Sequence, residues 1–306
     1  SMRSYGASRD DMTGLKEGDH LVGYGEVNTL DHVLFFTTQG TYGYTPVYDV
    51  EESRWKEIGS HINSTIRISG EEKITDAFVL RSFATNAYMI SVTKNGLVKK
   101  TAVREYEVSR NNKTMSNMKL LDGDAVVKTM VAYAYDEILI ASKNGFVSRY
   151  PVSLIPETSP RSKGVKAMNL VLDEIVSACI SHGDASQLIV FTDQCQMKRI
   201  KLSDVDVTGR PTKGSMICKK VKSKPYQIAH IALHDLNDEL VIINEETQKI
   251  LAKDISLMSK DATFSSPLHT TQDYYFLRTL AAVEQRELPA IQEEKQEFEE
   301  IELFED

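Results

Sequence analysis

The sequence predicts an all-β domain, a propeller-like disc of five to six four-stranded blades. Three observations carry this expectation. A motif recurs about every 50 residues, a second landmark follows it at a nearly constant distance, and each copy has the composition of strands and tight turns.

The motif is an apolar run that ends in a small polar residue and a turn. It reads VLFFTTQG at 33–40, MISVTKNG at 89–96, ILIASKNG at 138–145, LIVFTDQC at 188–195 and, more weakly, LVIINEET at 240–247. From one turn to the next the steps are 56, 49, 50 and 52 residues. The second landmark is Gly59, Ser116, Gly164, Gly214 and Ser266, at offsets of 19, 20, 19, 19 and 19 from the turns. Gly14 occupies that place for a sixth copy, whose opening strands would precede Ser1. Asn-Gly after an apolar run predicts type I′ hairpins at Asn95-Gly96 and Asn144-Gly145, where both residues take positive φ. Cys195 and Thr247 lack the glycine and predict different turns. Asp122 to Tyr135 is ambiguous between strand and helix. Tyr42, Tyr44 and Tyr48 alternate and predict one packed face.

The charge is segregated. Residues 284–306 hold ten acidic and two basic side chains, whereas 94–224 hold 22 basic against 13 acidic. The acidic end predicts a disordered tail, so that the chain divides into a body at 1–283 and a tail at 284–306. The tail is either solvated chain or a polyanion that competes for the basic region. No run long and apolar enough to span a membrane occurs. Cys179, Cys195 and Cys218 are far apart, which argues for reduced thiols in a cytoplasmic protein. No Walker loop, HExxH, GxSxG or GxGxxG is present, so neither a cofactor nor a catalytic centre is predicted. His230 and His234 read as structural rather than as a metal pair, and Trp55 reads as a packing residue.

The basic residues keep the phase of the repeat. At the third and fourth positions after the turn stand Lys99 and Lys100, Ser148 and Arg149, and Lys198 and Arg199. The loops before the second landmark carry Arg110 and Lys113, Arg161 and Lys163, and Arg210 and Lys213; Lys166, Lys219 and Lys220 follow it. Equivalent positions on successive blades would make a band of positive charge along one rim, suited to a phosphate backbone and not to base readout. Gly164 and Gly214 would let backbone amides approach a phosphate. A propeller scaffold that binds proteins is the competing reading.

These motifs, with the basic strand at 97–101 (LVKKT) and the loops RSKG at 161–164 and RPTKG at 210–214, resemble the β-pinwheel of bacterial type IIA topoisomerase A subunits. The resemblance implies strands exchanged between neighbouring blades and a rim that binds and bends double-stranded DNA. It implies a non-catalytic piece of an ATP-dependent enzyme, partnered by the rest of its own A-type polypeptide and by an ATPase B subunit (ParE-type) in a nucleoid-associated heterotetramer. The Gln-Arg-Arg-Gly-Gly-Lys-Gly box of gyrase A is not found, which favours the topoisomerase IV branch and its decatenation and chromosome-segregation role. Gyrase A, whose C-terminal domain wraps DNA, is the alternative.

Overall fold

A computed structural model describes residues 23–53, 59–70, 72–108, 113–183, 186–218, 225–243, 247–265, 275–276, 278–280 and 282–287. Five blades lie among them. Blade 1 contains His32–Thr37, Thr41–Pro46 and Ile74–Leu80; blade 2, Tyr88–Thr93, Leu97–Ala102 and Val126–Ala132. Blade 3 contains Glu137–Ser142, Phe146–Pro151 and Ile175–Ser181; blade 4, Gln187–Thr192, Met197–Lys201 and Ile228–Leu233; blade 5, Glu239–Ile243, Thr247–Leu251 and Tyr275–Phe276. The ambiguous stretch after Asp122 is therefore strand. The last strand of blades 1 to 4 is the innermost, and these four pack on one another in order.

The constant second landmark is an exchanged strand. Met115–Ser116 of the second repeat pairs with Thr41 and Tyr42 of blade 1. Val165–Lys166 pairs with Leu97 and Val98 of blade 2, and Ser215–Met216 with Phe146 and Val147 of blade 3. Ser265 bridges Met197 of blade 4 in the same way. Repeats 2 to 5 thus each lend the outermost segment of the blade before them, which ties neighbours together through backbone hydrogen bonds.

Exchange explains the glycines. Gly164 and Gly214 both have φ +82, and a Cβ on Gly214 would sit 2.4 Å from the Val147 carbonyl oxygen. Gly164 would place its Cβ 2.7 Å from the Val98 carbonyl oxygen. Close strand approach therefore requires a glycine at both positions.

The hairpins depart from type I′. Among the positions from Lys94 to Gly96 and Lys143 to Gly145 only the glycines have positive φ, +96 and +102, and each glycine N–H donates to the residue three before it. This is a three-residue connection with a left-handed last residue. Cys195 adopts the same place with φ +56, and its N–H donates to the Thr192 carbonyl at 3.2 Å. The different turn expected there is thus corrected: a cysteine accepts the left-handed conformation, at a cost of about 1–2 kcal/mol, because the flanking strands impose it.

The apolar residues divide among four seams between blades. Ile90, Val92 and Val98 meet Ile138, Ile140 and Tyr150 between blades 2 and 3. Leu139, Ala141 and Val147 meet Leu188, Val190 and Ile200 between blades 3 and 4. Aromatic Phe36, Tyr42 and Tyr106 pack edge to face between blades 1 and 2. Alternate residues of one strand therefore enter opposite seams, and middle strands are buried on both faces. Tyr48 leaves the face that Tyr42 and Tyr44 share, because the chain turns at Pro46 into the short 3-10 helix Val47–Asp49 and Tyr48 projects outward, 67% exposed.

After blade 5 the chain returns to blade 1. Arg278–Thr279 pairs with Gly23–Tyr24, and Ala282–Val283 adds to the inner strand of blade 1 at Val79 and Leu80. The Tyr133 hydroxyl and the Thr85 hydroxyl both donate to the Glu284 carbonyl, at 2.6 and 3.2 Å. Asn86 exchanges two hydrogen bonds with the Arg286 backbone. The start of the acidic segment is thus packed on blades 1 and 2; the rest of the expected tail, beyond 287, lies outside the described residues, as do the expected sixth copy around Gly14 and the turn before Thr247.

Candidate nucleic-acid interface

The structure separates the phased basic residues into two sets. The strand set is buried or clamped. Lys99 is 1% exposed, and its ammonium donates to the Thr101 hydroxyl. Lys198 is 0% exposed; its Nζ donates to the carbonyls of Lys260 at 2.7 Å, Ala262 at 2.9 Å and Ser259 at 3.5 Å, and lies 4.7 Å from the Phe264 ring centroid.

The neighbouring position has one job in four blades. Tyr44 donates to the Val108 carbonyl of blade 2, and Lys100 to Val152 of blade 3 at 3.3 Å. Arg149 donates to Leu202 at 3.0 Å and Val205 of blade 4, and Arg199 to Lys253 at 3.1 Å and Ile255 at 2.8 Å of blade 5. Each ties a middle strand to carbonyls in or beside the next blade's 3-10 turn. Arg149 is further paired to Glu137 at 2.6 Å, and Lys100 lies over the Tyr88 ring. In blade 5 the position is Leu251, whose side chain carries no donor. The expected phosphate-facing role of Lys99, Lys100, Arg149, Lys198 and Arg199 is therefore corrected. The reason is geometric: alternation sends side chains to opposite faces, but both faces of a propeller's middle strand are seams.

Burial pushes the Lys99 ammonium down to about 7 and Lys198 to about 8. An unfolded chain holds the lysine proton up to about pH 10.4. Between pH 7 and that value the unfolded state binds more protons at Lys99, so this site's destabilising effect is full below pH 7 and fades as pH rises. Lys99→Met should therefore be most stable relative to wild type near pH 6, with its relative stability falling by pH 9. Urea titrations at both pH values test this, and a pH-independent difference would place the ammonium in water.

The loop set is exposed. Lys113, Lys163 and Lys213 each stand two residues before the exchanged strand, one for each of blades 1, 2 and 3. All three are exposed, and none forms an ion pair among the described residues; Arg161, Lys166 and Lys119 share both properties. Lys213 lies 4.3 Å from the Phe146 ring centroid. Arg210 is half-buried, donating to the Leu154 carbonyl at 3.0 Å and the Lys166 carbonyl at 2.7 Å.

Backbone contacts join these loops into one band. Lys119 N–H donates to the Ser162 carbonyl and Arg161 N–H to the Asn117 carbonyl, at 3.0 and 3.1 Å. Asn169 N–H donates to the Thr212 carbonyl at 2.8 Å, and its side chain to Pro211. The loops that carry these exposed cations beside the outermost strands of blades 1 to 3 are thus joined to one another. Lys119 was the member sequence reasoning missed; its signal is its place three residues beyond Ser116, which Lys219 shares with respect to Met216. Arg110, Lys219, Lys220 and Trp55 lie outside the described residues.

Among the described residues no group of three His, Cys, Asp or Glu is placed to hold a metal ion. His230 bonds Ser177 at 2.9 Å and His234 bonds Asp238 at 3.3 Å, so the two take separate partners. The cysteines form no disulfide, and no described helix is long and apolar enough to cross a membrane.

Comparison with known proteins gives a consistent likeness. The family model of the DNA gyrase C-terminal domain, beta-propeller, matches residues 31–81, 87–132, 136–182 and 186–234, one match to each of blades 1 to 4. The A subunit of DNA topoisomerase 4 from Staphylococcus epidermidis is 30% identical over 275 residues, 90% of this chain and 34% of the relative. Its counterpart from Staphylococcus aureus (strain MRSA252) is 30% identical over 274 residues, covering 90% and 33%. This chain spans about a third of the length of those relatives. The crystal structure of the C-terminal domain of DNA topoisomerase IV superposes with a TM-score of 0.77 at 30% identity, covering 83% of this chain and 80% of that one. The DNA gyrase A C-terminal domain does so at 0.69 and 19% identity, covering 82% and 84%, a likeness of fold.

Proposed function

Because this chain belongs to the family of DNA gyrase C-terminal β-propeller domains, we propose that it binds duplex DNA without sequence preference and bends it along the outer edge of blades 1 to 3. The observation that carries the reading is the set Lys113, Lys163 and Lys213, exposed, unpaired with acids among the described residues and equivalent in three successive repeats. A duplex following them would exchange condensed counterions for fixed ammonium groups, and curvature would follow from the arrangement of the blades. Lys119, Arg161 and Lys166 extend the same track, with Arg210 tying together the two ends of the segment from Leu154 to Lys166 and Arg110, Lys219 and Lys220 belonging to it by sequence position.

The body at 1–283 is the binding unit and 284–306 an acidic extension of it. As a non-catalytic part of a topoisomerase IV A-type polypeptide, it would present a DNA segment to the remainder of that polypeptide and its ATPase partner in the cytoplasm, for relaxation, decatenation and chromosome segregation. The relatives named above support the topoisomerase IV branch over gyrase.

The test is binding of linear duplexes of several sequences over a salt series. With about six phosphate contacts, log affinity should fall against log salt with a slope of about −5, alike for every sequence. A flat salt dependence, or binding of a single sequence only, would overturn the proposal and favour a protein-binding scaffold.

A further inference from the structure

Lys94 and Lys143 open the hairpin turns of blades 2 and 3 at the same repeat position, and both ammonium groups converge on one carboxylate. Lys94 Nζ lies 2.9 Å from Glu174 Oε2, and Lys143 Nζ lies 2.9 Å from Glu174 Oε1. One cation meets each oxygen. The lysine side chains are 46% and 39% exposed, so solvent reaches the pair. Glu174 is held by its backbone: its N–H donates to Asp173 Oδ1, its carbonyl accepts from Lys143 N–H, and Ile175 N–H donates to the Lys94 carbonyl. The two lysines hold the Glu174 carboxyl below the usual range.

The fold does not require an acid there. The residue whose carbonyl receives the equivalent hairpin N–H is Lys73 in blade 1, Ala125 in blade 2 and Gln227 in blade 4. Among the described residues of blades 1 to 4 a carboxylate stands at this place only where two lysines face each other, since the matching turn residues are Thr38 in blade 1 and Asp193 in blade 4. A phosphodiester offers two non-bridging oxygens at nearly the separation of the two in a carboxylate. The lysine pair is thus a ready anion site already filled by an internal one.

We propose that Lys94 and Lys143 form a phosphate subsite for duplex DNA, occupied in the free protein by Glu174, which moderates affinity by competing with the DNA. This rests on the DNA reading above and adds a site away from the outer edge. The loop that ends at Glu174 begins at Lys166 of the basic band, and between them Val171 and Leu172 are 76% and 99% exposed. A duplex touching both ends of that loop would cover these apolar side chains with its sugars.

The experiment is duplex binding by Glu174→Gln across the salt series. Freeing the pair adds about one phosphate contact, so affinity should rise about tenfold near 0.1 M salt and the slope should steepen by about one. Adding Lys94→Gln and Lys143→Gln to that variant should abolish the gain. In the wild-type protein, saturating duplex should protect Lys94 and Lys143 from an amine-acylating reagent, a reading that does not depend on any variant folding. Unchanged or weaker binding by Glu174→Gln with an unaltered melting temperature, or no protection of either lysine, would overturn the subsite. If rim reversals still weaken binding in that event, only the subsite fails. If the wild-type chain does not bind DNA, the functional reading fails with it.

Discussion

Lys113, Lys163 and Lys213 changed together to glutamate should lower affinity for linear duplex by roughly a thousandfold near 0.1 M salt, about tenfold for each lost phosphate contact. The slope of log affinity against log salt should become shallower by about three, because that slope counts the cations that replace counterions. The fold should tolerate the change. All three side chains are exposed, none forms an ion pair among the described residues, and only Lys213 lies over a neighbouring ring, that of Phe146. Surface substitutions of this kind usually stay within about 0.5 kcal/mol each. The check is a salt series with a melting curve on the same preparation. A fall below tenfold in a folded variant would remove the DNA path from this edge.

Lys198→Glu is expected to have the larger effect on stability and almost none on the binding surface. The wild-type ammonium satisfies the carbonyls of Ser259, Lys260 and Ala262 in the loop that the fifth repeat lends to blade 4. A carboxylate there would face those carbonyl oxygens, which donate nothing to it, and breaking a buried charge site costs roughly 3–5 kcal/mol. That is a large part of an ordinary domain's stability. Lys198→Met should lose less, because an apolar side chain of similar length removes the donor without burying an unpaired charge. Urea midpoints should therefore order as wild type, then Met, then Glu, with DNA affinity of the folded Met variant close to wild type. Full stability of Lys198→Glu with weakened DNA binding would instead show that the ammonium faces the ligand.

The two results together would separate signals that look alike in the sequence. Lys198 and Lys213 are both lysines locked to the phase of the repeat, and one is structural while the other is exposed. The difference follows from radial position. Lys198 sits on a middle strand, where both faces meet another blade. Lys213 sits on a loop leading into the outermost strand, where no further blade exists to cover it. Tyr44 gives the clearest hint that the strand position was never electrostatic. It is uncharged, stands at the place of Lys100, Arg149 and Arg199, and makes the same bond to the next blade. What that position selects is a long donor, and lysine and arginine supply it most often.

Residue spacing alone gave a repeated β unit of about 50 residues, five to six blades and a fixed second landmark in each copy; that the blades exchange strands was implied by the family resemblance. The first three follow from a repeated chain with fixed intervals, which leaves a readable mark. Only the tertiary structure decided which cations are buried, that Gly164 and Gly214 serve strand exchange, and that Cys195 turns like a glycine. It also decided that Glu174 lies between two lysines. Those facts depend on which blade lies against which, and the period of a residue, as at Lys100, Arg149 and Arg199, does not say whether its side chain meets a seam or solvent.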